Sequence, residues 1–450
     1  MKLQYFFKLT LLTAVVAICS SCLKTEQRDV TLSSDAQIYS LSLSSEKDSA
    51  RVLNNTKFTI DQIGEKIFNQ DSLPYLFHID SVHLDLKMAS SNNLPTFTIH
   101  LKNNDSVYEW NGKDSIAINR LTAITSRAPD RQHAITYQFK INIHQQDPEI
   151  LTWERLADNY LATPTNDQKT ILVNGSLITY YRAGKNIMAK ETPIDDGKNW
   201  SSIPLNGLPV TVQLQSIIAA TEDNKKAYAL DNANAVYQTT DGKEWSKITT
   251  RYPVKSIYGN LPLFNGKSEI LLMINDNGVS KLATTTDFST IHIENITVPD
   301  KFPTNDLSPV TVNNPDVFVA KYIILAGGTN EKYGISKNIW LIQKKNNDVD
   351  IASVEASVPV DGARLFFYNN MLYLLSHGRD TNKLFTSNDY GLHWHPVGSN
   401  QELPETFSFR RETSIITDTN HFIWIVGGLS QSNNGIAEVW RGRLNKFAEK

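Results

Sequence analysis

Arg251, Arg364 and Arg411 each stand a short distance after a marker residue, at the start of what reads as the innermost strand of a repeated unit. If equivalent positions of successive units converge on a central channel, three guanidinium forks could hold a carboxylate or a sulfate through paired N–H bonds. The plainer alternative is that each arginine pairs with a nearby Asp or Glu. Other chemistry has less support. Glycoside hydrolysis needs two carboxylates at a controlled separation, and nothing in the residue order places such a pair, so no catalytic residue is expected. His393 and His395 are two apart on a strand and share a face, while His377 and His421 are isolated. These read as rim histidines and predict no metal site. The stretch from Lys255 to Gly259 and the Gly-Gly pairs lack the strand–loop–helix setting of a phosphate cradle, so no cofactor is expected. The only cysteines, Cys19 and Cys22, lie near the amino terminus, which leaves no later thiol for a disulfide, a metal or a nucleophile. A formal net charge of -3 provides no global field for nucleic acid or an anionic membrane.

The elements that would position these residues begin with the chain ends. A chain of 450 residues suggests two or three domains. Lys2 and Lys8 precede the apolar run LTLLTAVVAI, Leu9 to Ile18. That run is too short to cross a hydrocarbon core of roughly 30 Å as a helix. With the small residues after it, it fits a secretory signal. Cys19-Ser20-Ser21-Cys22 resembles a lipobox, with Cys19 where Leu is usual. The resemblance implies removal of residues 1–21 and acylation of Cys22, whose two or more acyl chains would tether the protein firmly to a membrane. Residues 22–30 then read as a polar tether.

Residues 31–148 read as a small all-β domain. Tyr39, Leu41 and Leu43 fall on one face of a strand, and Lys57 to Ile60 is a second short candidate. Ser81 to Met88, Thr96 to Leu101 and Tyr137 to Ile143 alternate apolar and polar residues, the period of half-buried strands. Ile60 to Phe68 reads as one short helix. Several such strands predict a β-sandwich. The segment resembles the immunoglobulin-like amino-terminal domains of exported lipoproteins of Bacteroides and its relatives. Asp48-Ser49-Ala50, Asp71-Ser72-Leu73, Asp80-Ser81-Val82, Asp105-Ser106-Val107 and Asp114-Ser115-Ile116 resemble the O-glycosylation acceptor tripeptide of that phylum. The same tripeptide is also common by composition.

Residues 149–450 repeat. Trp153 and Trp200 are 47 residues apart, Trp200 and Trp245 are 45 apart, and Trp245 and Trp394 are 149 apart. The last interval holds three steps of roughly 50, with intermediates expected near Ile291 and near Lys344 to Asp350. Units of that length with four short strands each predict propeller blades. Ser387, Asp389, Gly391 and Trp394 match the Asp-box of sialidase-like propellers, Ser-x-Asp-x-Gly-x-x-Trp, a structural turn in those proteins. Asp195, Gly197 and Trp200 keep three of its positions, with Pro193 where Ser stands. Gly242 and Trp245 keep two, with Thr240 at the Asp position. Gly327, Gly328 and Trp340, and likewise Gly427, Gly428 and Trp440, resemble the Gly-Gly plus Trp pattern of kelch blades. Outer strands are expected near residues 200, 245, 291, 347 and 394. The last unit has no room for a fourth strand, so LTWERL around Trp153 is expected to complete it and close the ring. Six blades result, or seven if residues 299–314 hide a further unit.

Taken together the chain resembles exported lipoproteins of the DUF6242 kind: all-β, with an immunoglobulin-like sandwich followed by an Asp-box and kelch-like propeller. The resemblance implies a lipid-anchored protein of the cell envelope, at the outer membrane. A sialidase would need a Phe/Tyr-Arg-Ile-Pro motif, and the nearest string is Phe409-Arg410-Arg411-Glu412. The expectation is non-catalytic binding of a glycan, a peptide or an envelope protein. The alternative is a glycan-active enzyme, a sialidase-like hydrolase or a lyase, that uses the channel face.

Overall fold

The computed structural model describes residues 32–88, 96–102, 106–220, 225–314, 320–345 and 347–448. The proposed signal, the lipobox with Cys22 and Asp105 lie outside them. The chain divides into two compact units, residues 1–146 and 147–450.

The first unit holds a three-stranded sheet and a six-stranded sheet. Ile38–Ser44 pairs with Ser81–Met88, which pairs with Ile116–Ala117. In the larger sheet Lys66–Asn69 runs parallel to Ala134–Lys140, and the other pairings are antiparallel. Ile67, Ile99, Ile124 and Tyr137 are fully buried between the strands. Two expectations fail here. A register shift between Ile38 and Ser40 turns Ile38 inward and leaves Tyr39 55% exposed, so Tyr39 does not share the face of Leu41 and Leu43. Residues 60–68 form no helix; Phe58–Asp61 and Lys66–Asn69 are a hairpin. The Asp61 carboxylate accepts the N–H groups of Ile63 and Gly64, and Glu65 takes φ +49, which closes the turn. Ile60, Ile63 and Ile67 imitate a helical stripe, but Ile63 is 97% exposed at the turn. The helix that does form is Val52–Asn55, whose first N–H groups are held by the buried Asp48.

The second unit contains six four-stranded antiparallel sheets in a propeller-like arrangement. Their first strands are Gln168–Val173, Ile218–Ala219, Val254–Pro262, Pro309–Asn313, Arg364–Tyr368 and Ser414–Thr417. These neighbour one another in that order, and Ser414–Thr417 returns beside Gln168–Val173. The outer strands of the first five sheets are Ser201–Ile203, Ser246–Ile248, His292–Ile293, Asp348–Glu355 and His395–Pro396, at the expected rims. In the sixth sheet Leu151–Ala157 pairs antiparallel with Val439–Leu444, so the strand around Trp153 completes the last sheet. Gly442 makes room for it, because a Cβ there would sit 2.5 Å from the Trp153 ring. Residues 299–314 supply an entry loop and the first strand of the fourth sheet.

Middle strands such as Ala227–Leu230 and Ile423–Val426 are buried at every position. Sheets covered on both faces need such continuous apolar runs. Six hydrophobic clusters lie between successive sheets. One joins the first sheet to the second through Ile178, Tyr180 and Trp245. Another joins the sixth to the first, where Trp424 and Val439 meet Leu172 and Leu177. Each large side chain buried in such a seam contributes about 1.5–3 kcal/mol.

Candidate functional site

The first strands surround a cavity of about 330 Å³ lined by residues from all six sheets. It gathers the beginnings of those strands. Lys169 is the second residue of its strand, Lys255 the second of its own, and Arg364 the first. Ser308 and Ser414 stand just before or at the start of two others. A further cavity of about 550 Å³ lies along the same strands and includes Tyr258, Asn260 and Phe366.

Arg364 is buried, and two of its nitrogens are committed to the backbone. Nε donates to the Thr413 carbonyl at 3.1 Å and Nη1 to the Ala363 carbonyl at 3.1 Å. Burial pulls its pKa below the ordinary value, while Glu412 and Asp306 act in the opposite direction. The Lys169 amine makes no hydrogen bond or ion pair with protein among the described residues. The side chain is half-buried, and desolvation by the surrounding protein, followed by the Arg364 charge, pulls the ammonium down to about 7. The Lys255 amine is turned to the Ser280 hydroxyl at 3.1 Å. Ser308 Oγ accepts the Leu365 N–H at 2.7 Å and Ser414 Oγ accepts the Thr170 N–H at 2.9 Å. Each hydroxyl thereby joins neighbouring strands, and its own proton has no protein acceptor among the described residues. The lining carries one carboxylate, Asp306, which accepts the Thr329 hydroxyl at 3.0 Å.

The three arginines singled out by sequence are not brought together. Arg364 lines the cavity. Arg251 is exposed and stacks over the Tyr252 ring at 5.2 Å. Arg411 is bound to Asn433 and lies 3.8 Å from Glu412, outside the cavity lining. Its neighbour Arg410 is fully buried, paired with Glu438 and stacked on Phe407 at 4.3 Å, so the Phe409-Arg410 string serves packing. Sequence reasoning missed Lys169, Ser308 and Ser414. Their signal is positional, since each opens an inner strand as Arg364 does. Among the described residues no group of three or more His, Cys, Asp or Glu could hold a metal ion. His393 bonds to Asp389 at 2.6 Å, His395 is exposed on an outer strand, and His421 stacks on Phe447. His377 Nε2 is buried with no hydrogen-bond partner among the described residues.

The Asp-box residues lie in turns between the third and fourth strands. In the fifth sheet Ser387 Oγ accepts the Gly391 N–H at 2.8 Å, and Asp389 accepts the His393 N–H at 2.9 Å. In the second sheet Thr239 Oγ1 accepts the Gly242 N–H at 2.9 Å, and Asp241 accepts the N–H groups of Lys243 and Glu244. In the first sheet Thr192 and Asp196 take these parts beside Gly197. The turn carboxylate is therefore Asp196 rather than the exposed Asp195, and Asp241 rather than position 240. These two turns set Asp directly before Gly, whereas the fifth inserts Tyr390 at φ +61. Trp200 and Trp245 pack against Tyr160 and Tyr180, with ring centroids 4.7 and 5.7 Å apart, and Trp394 is buried. In the fourth and sixth sheets Gly327, Gly328, Gly427 and Gly428 all have positive φ at the end of the second strand. Trp340 and Trp440 lie in the third strands, bonded to Ser336 and Glu438.

A two-unit, all-β chain whose larger part is propeller-like is the class these features define. Residues 147–450 match the model of the DUF6242 beta propeller domain, and residues 25–141 match that of the DUF6242 N-terminal domain, described as a domain of unknown function. The chain belongs to this family. It is 38% identical over 96 residues to an anhydrosialidase of Macrobdella decora, a match covering 20% of this chain and 12% of that protein's length. Among solved structures, YCF48 bound to D1 peptide aligns at 14% identity and TM-score 0.33, covering 83% of this chain and 97% of that one. The polysaccharide lyase Uly1 aligns at 9% identity and TM-score 0.34, covering 83% and 89%. A copper-bound fungal alcohol oxidase aligns at 9% identity and TM-score 0.42, covering 65% and 76%. Among the described residues no helix is long and apolar enough to cross a membrane.

Proposed function

We propose that the second unit is a six-bladed propeller and that the chain is a non-catalytic binding protein of the cell envelope. The reading extends to an immunoglobulin-like first unit and a lipid-bearing Cys22 that tethers both to the outer membrane. The ligand is a glycan, a peptide or a partner protein, met at the mouth where the inner strands begin. One observation carries the reading: a cavity fed by all six inner strands, with hydroxyl and cationic donors that have no protein acceptor among the described residues. Preformed concave sites with a few convergent polar groups are where ligands bind. Glycan and peptide arrays probed with the purified soluble chain test it. Saturable binding to one class without chemical change supports the reading, and conversion of the bound ligand overturns it.

The stretch shared with the anhydrosialidase favours a second reading, a glycan-active hydrolase or lyase working on the same face. Enzyme-dependent release of sialic acid, or of unsaturated sugar products, would establish it. Intact-mass analysis of membrane-derived protein tests the anchor. A mass beginning at an acylated Cys22 is expected, and an unmodified Cys22 removes that part of the proposal.

A further inference from the structure

We propose that the channel mouth holds the carboxylate of a small polar molecule between the Lys169 ammonium and the Arg364 guanidinium, with the Ser308 and Ser414 hydroxyls as further donors. This rests on the reading of the chain as a binding protein and names the ligand chemistry of that site.

Unmet hydrogen-bond donors mark the site. Lys169 brings three N–H bonds to the cavity and finds no acceptor among the described residues. Arg364 is held in place by the Thr413 and Ala363 carbonyls and makes no ion pair among the described residues. Ser308 and Ser414 each accept a backbone N–H, which leaves the hydroxyl proton to point elsewhere. Lys169 and Arg364 line one cavity, the Arg364 charge acts on Lys169, and neither forms an ion pair among the described residues, so the cavity is organised for an outside anion. Lys255 and Asp306 also line the cavity, and Glu412 acts on Arg364 from outside the lining. The two carboxylates disfavour a dianion such as inorganic phosphate and suit a single negative charge. Ile217, Ile257 and Leu307 give the rest of the ligand apolar wall, and about 330 Å³ accommodates a molecule of monosaccharide size.

The carboxylate could come from a uronic acid or from a peptide end, and titration calorimetry on the full mature chain separates the two. The probes are glucuronate, N-acetylglycine, glucose and inorganic sulfate. Glucuronate or N-acetylglycine should bind where glucose does not, and the tighter of the two names the source. Lys169→Met should weaken that binding by about tenfold or more. Binding should also fall as pH rises through about 7, where Lys169 loses its charge. Lys169→Met should abolish that pH dependence, and Lys247→Met, on the outer strand Ser246–Ile248, should keep it. In the absence of ligand Lys169→Met should raise the unfolding temperature, because it removes a desolvated cation, and this shows the variant is folded. No binding of either carboxylate at millimolar concentration, sulfate binding more tightly than both, or equal binding by Lys169→Met would overturn the site. A glycan-array signal that survives in Lys169→Met breaks this site and leaves the binding function standing. Turnover of a glucuronide probe does the reverse.

Discussion

Four sheets of the second unit seal against their neighbours through the turn that follows the third strand, and two do so through paired glycines at the end of the second. In the first group a Thr or Ser hydroxyl holds the N–H of a residue at positive φ: Gly197, Gly242, Phe288 and Gly391. In the second group Gly327 and Gly427 turn the strand end, and a Cβ at either would sit 2.3 or 2.4 Å from Val360 O or Gln168 Oε1. The chemistry of the two turns is unrelated, yet both end in a neighbour too close for a side chain. A Cβ on Gly242 would meet Ile178 Cδ1 of the preceding sheet at 2.2 Å, and one on Gly391 would meet Ile339 at 2.9 Å. Close approach between sheets is thus the common requirement, and the motifs are two ways to meet it. The third sheet is the exception that explains the rule. Phe288 takes φ +66, is buried, and its ring lies 4.8 Å from Tyr228. Elsewhere the seam is filled by a tryptophan three residues after the glycine; here the aromatic occupies the glycine's own position and Ile291 stands where the tryptophan would be.

The largest effect expected is at the closure of the ring. The sixth sheet differs from the other five in taking its outer strand, Leu151–Ala157, from the other end of the unit. Deleting residues 151–157 removes backbone bonds worth roughly 0.5–1.5 kcal/mol each and the cover of Val439–Leu444. Urea unfolding should show a loss of several kcal/mol, with aggregation by light scattering. Deleting residues 23–29 should change neither. Equal midpoints for the two deletions and the parent would mean that the ring closes by another route.

Gly242→Ala and Gly427→Ala test whether the two turn types meet the same need. Each forces a Cβ into an occupied position at positive φ, and each should cost about 3 kcal/mol by equilibrium unfolding. A negligible cost at only one would separate the groups. Phe288→Gly tests the exception. It relieves about 1 kcal/mol of backbone strain but empties a buried ring site that is worth about 3 kcal/mol or more. A net loss of about 2 kcal/mol is expected, and a gain would show that Phe288 is tolerated rather than used.

Positive φ and tight approach restrict the residues a turn can use, so Gly391, Gly327 and Gly427 marked the sheet boundaries, whereas the turn at Phe288 has no glycine and was placed near Ile291 by repeat spacing alone. The exchange of Asp195 for Asp196 shows the limit: residue types identify the turn, but a one-residue change in loop length decides which carboxylate caps it. The channel was less legible for a related reason. Which residue of a short strand faces the axis depends on where that strand begins, and a shift of one reverses it. Arg364 opens its strand and reaches the cavity, whereas Arg251 lies three residues before Val254–Pro262 and stays on the surface. Lys169 carried no local motif; only its place in Gln168–Val173 assigns it to the mouth. The Ile60, Ile63 and Ile67 spacing misled because an exposed turn residue completed a helical stripe by chance.

The smallest effect separates the fifth turn from the other three of its group. Burial alone would raise the Asp389 pKa, but the His393 N–H, the His393 ring and the Ser387 hydroxyl together outweigh it and hold the carboxyl at about 2. Asp196, Asp241 and Asp287 are also held below the ordinary carboxylate value, and no histidine acts on them. A carboxylate whose folded pKa lies below its unfolded one contributes stability that is present in full above the unfolded value and is lost as pH falls through the folded one. For Asp389 the window runs from about 4 down to about 2. Its side chain is 33% exposed, so solvent screening reduces the contribution to about 1 kcal/mol. Asp389→Asn should therefore unfold at lower urea than the parent at neutral pH, and the two midpoints should converge as pH falls through that window. His393→Ala should narrow the gap by removing the ring while keeping the backbone N–H. A gap that stays constant with pH would show that Asp389 acts through the shape of the turn alone, as a neutral acceptor could.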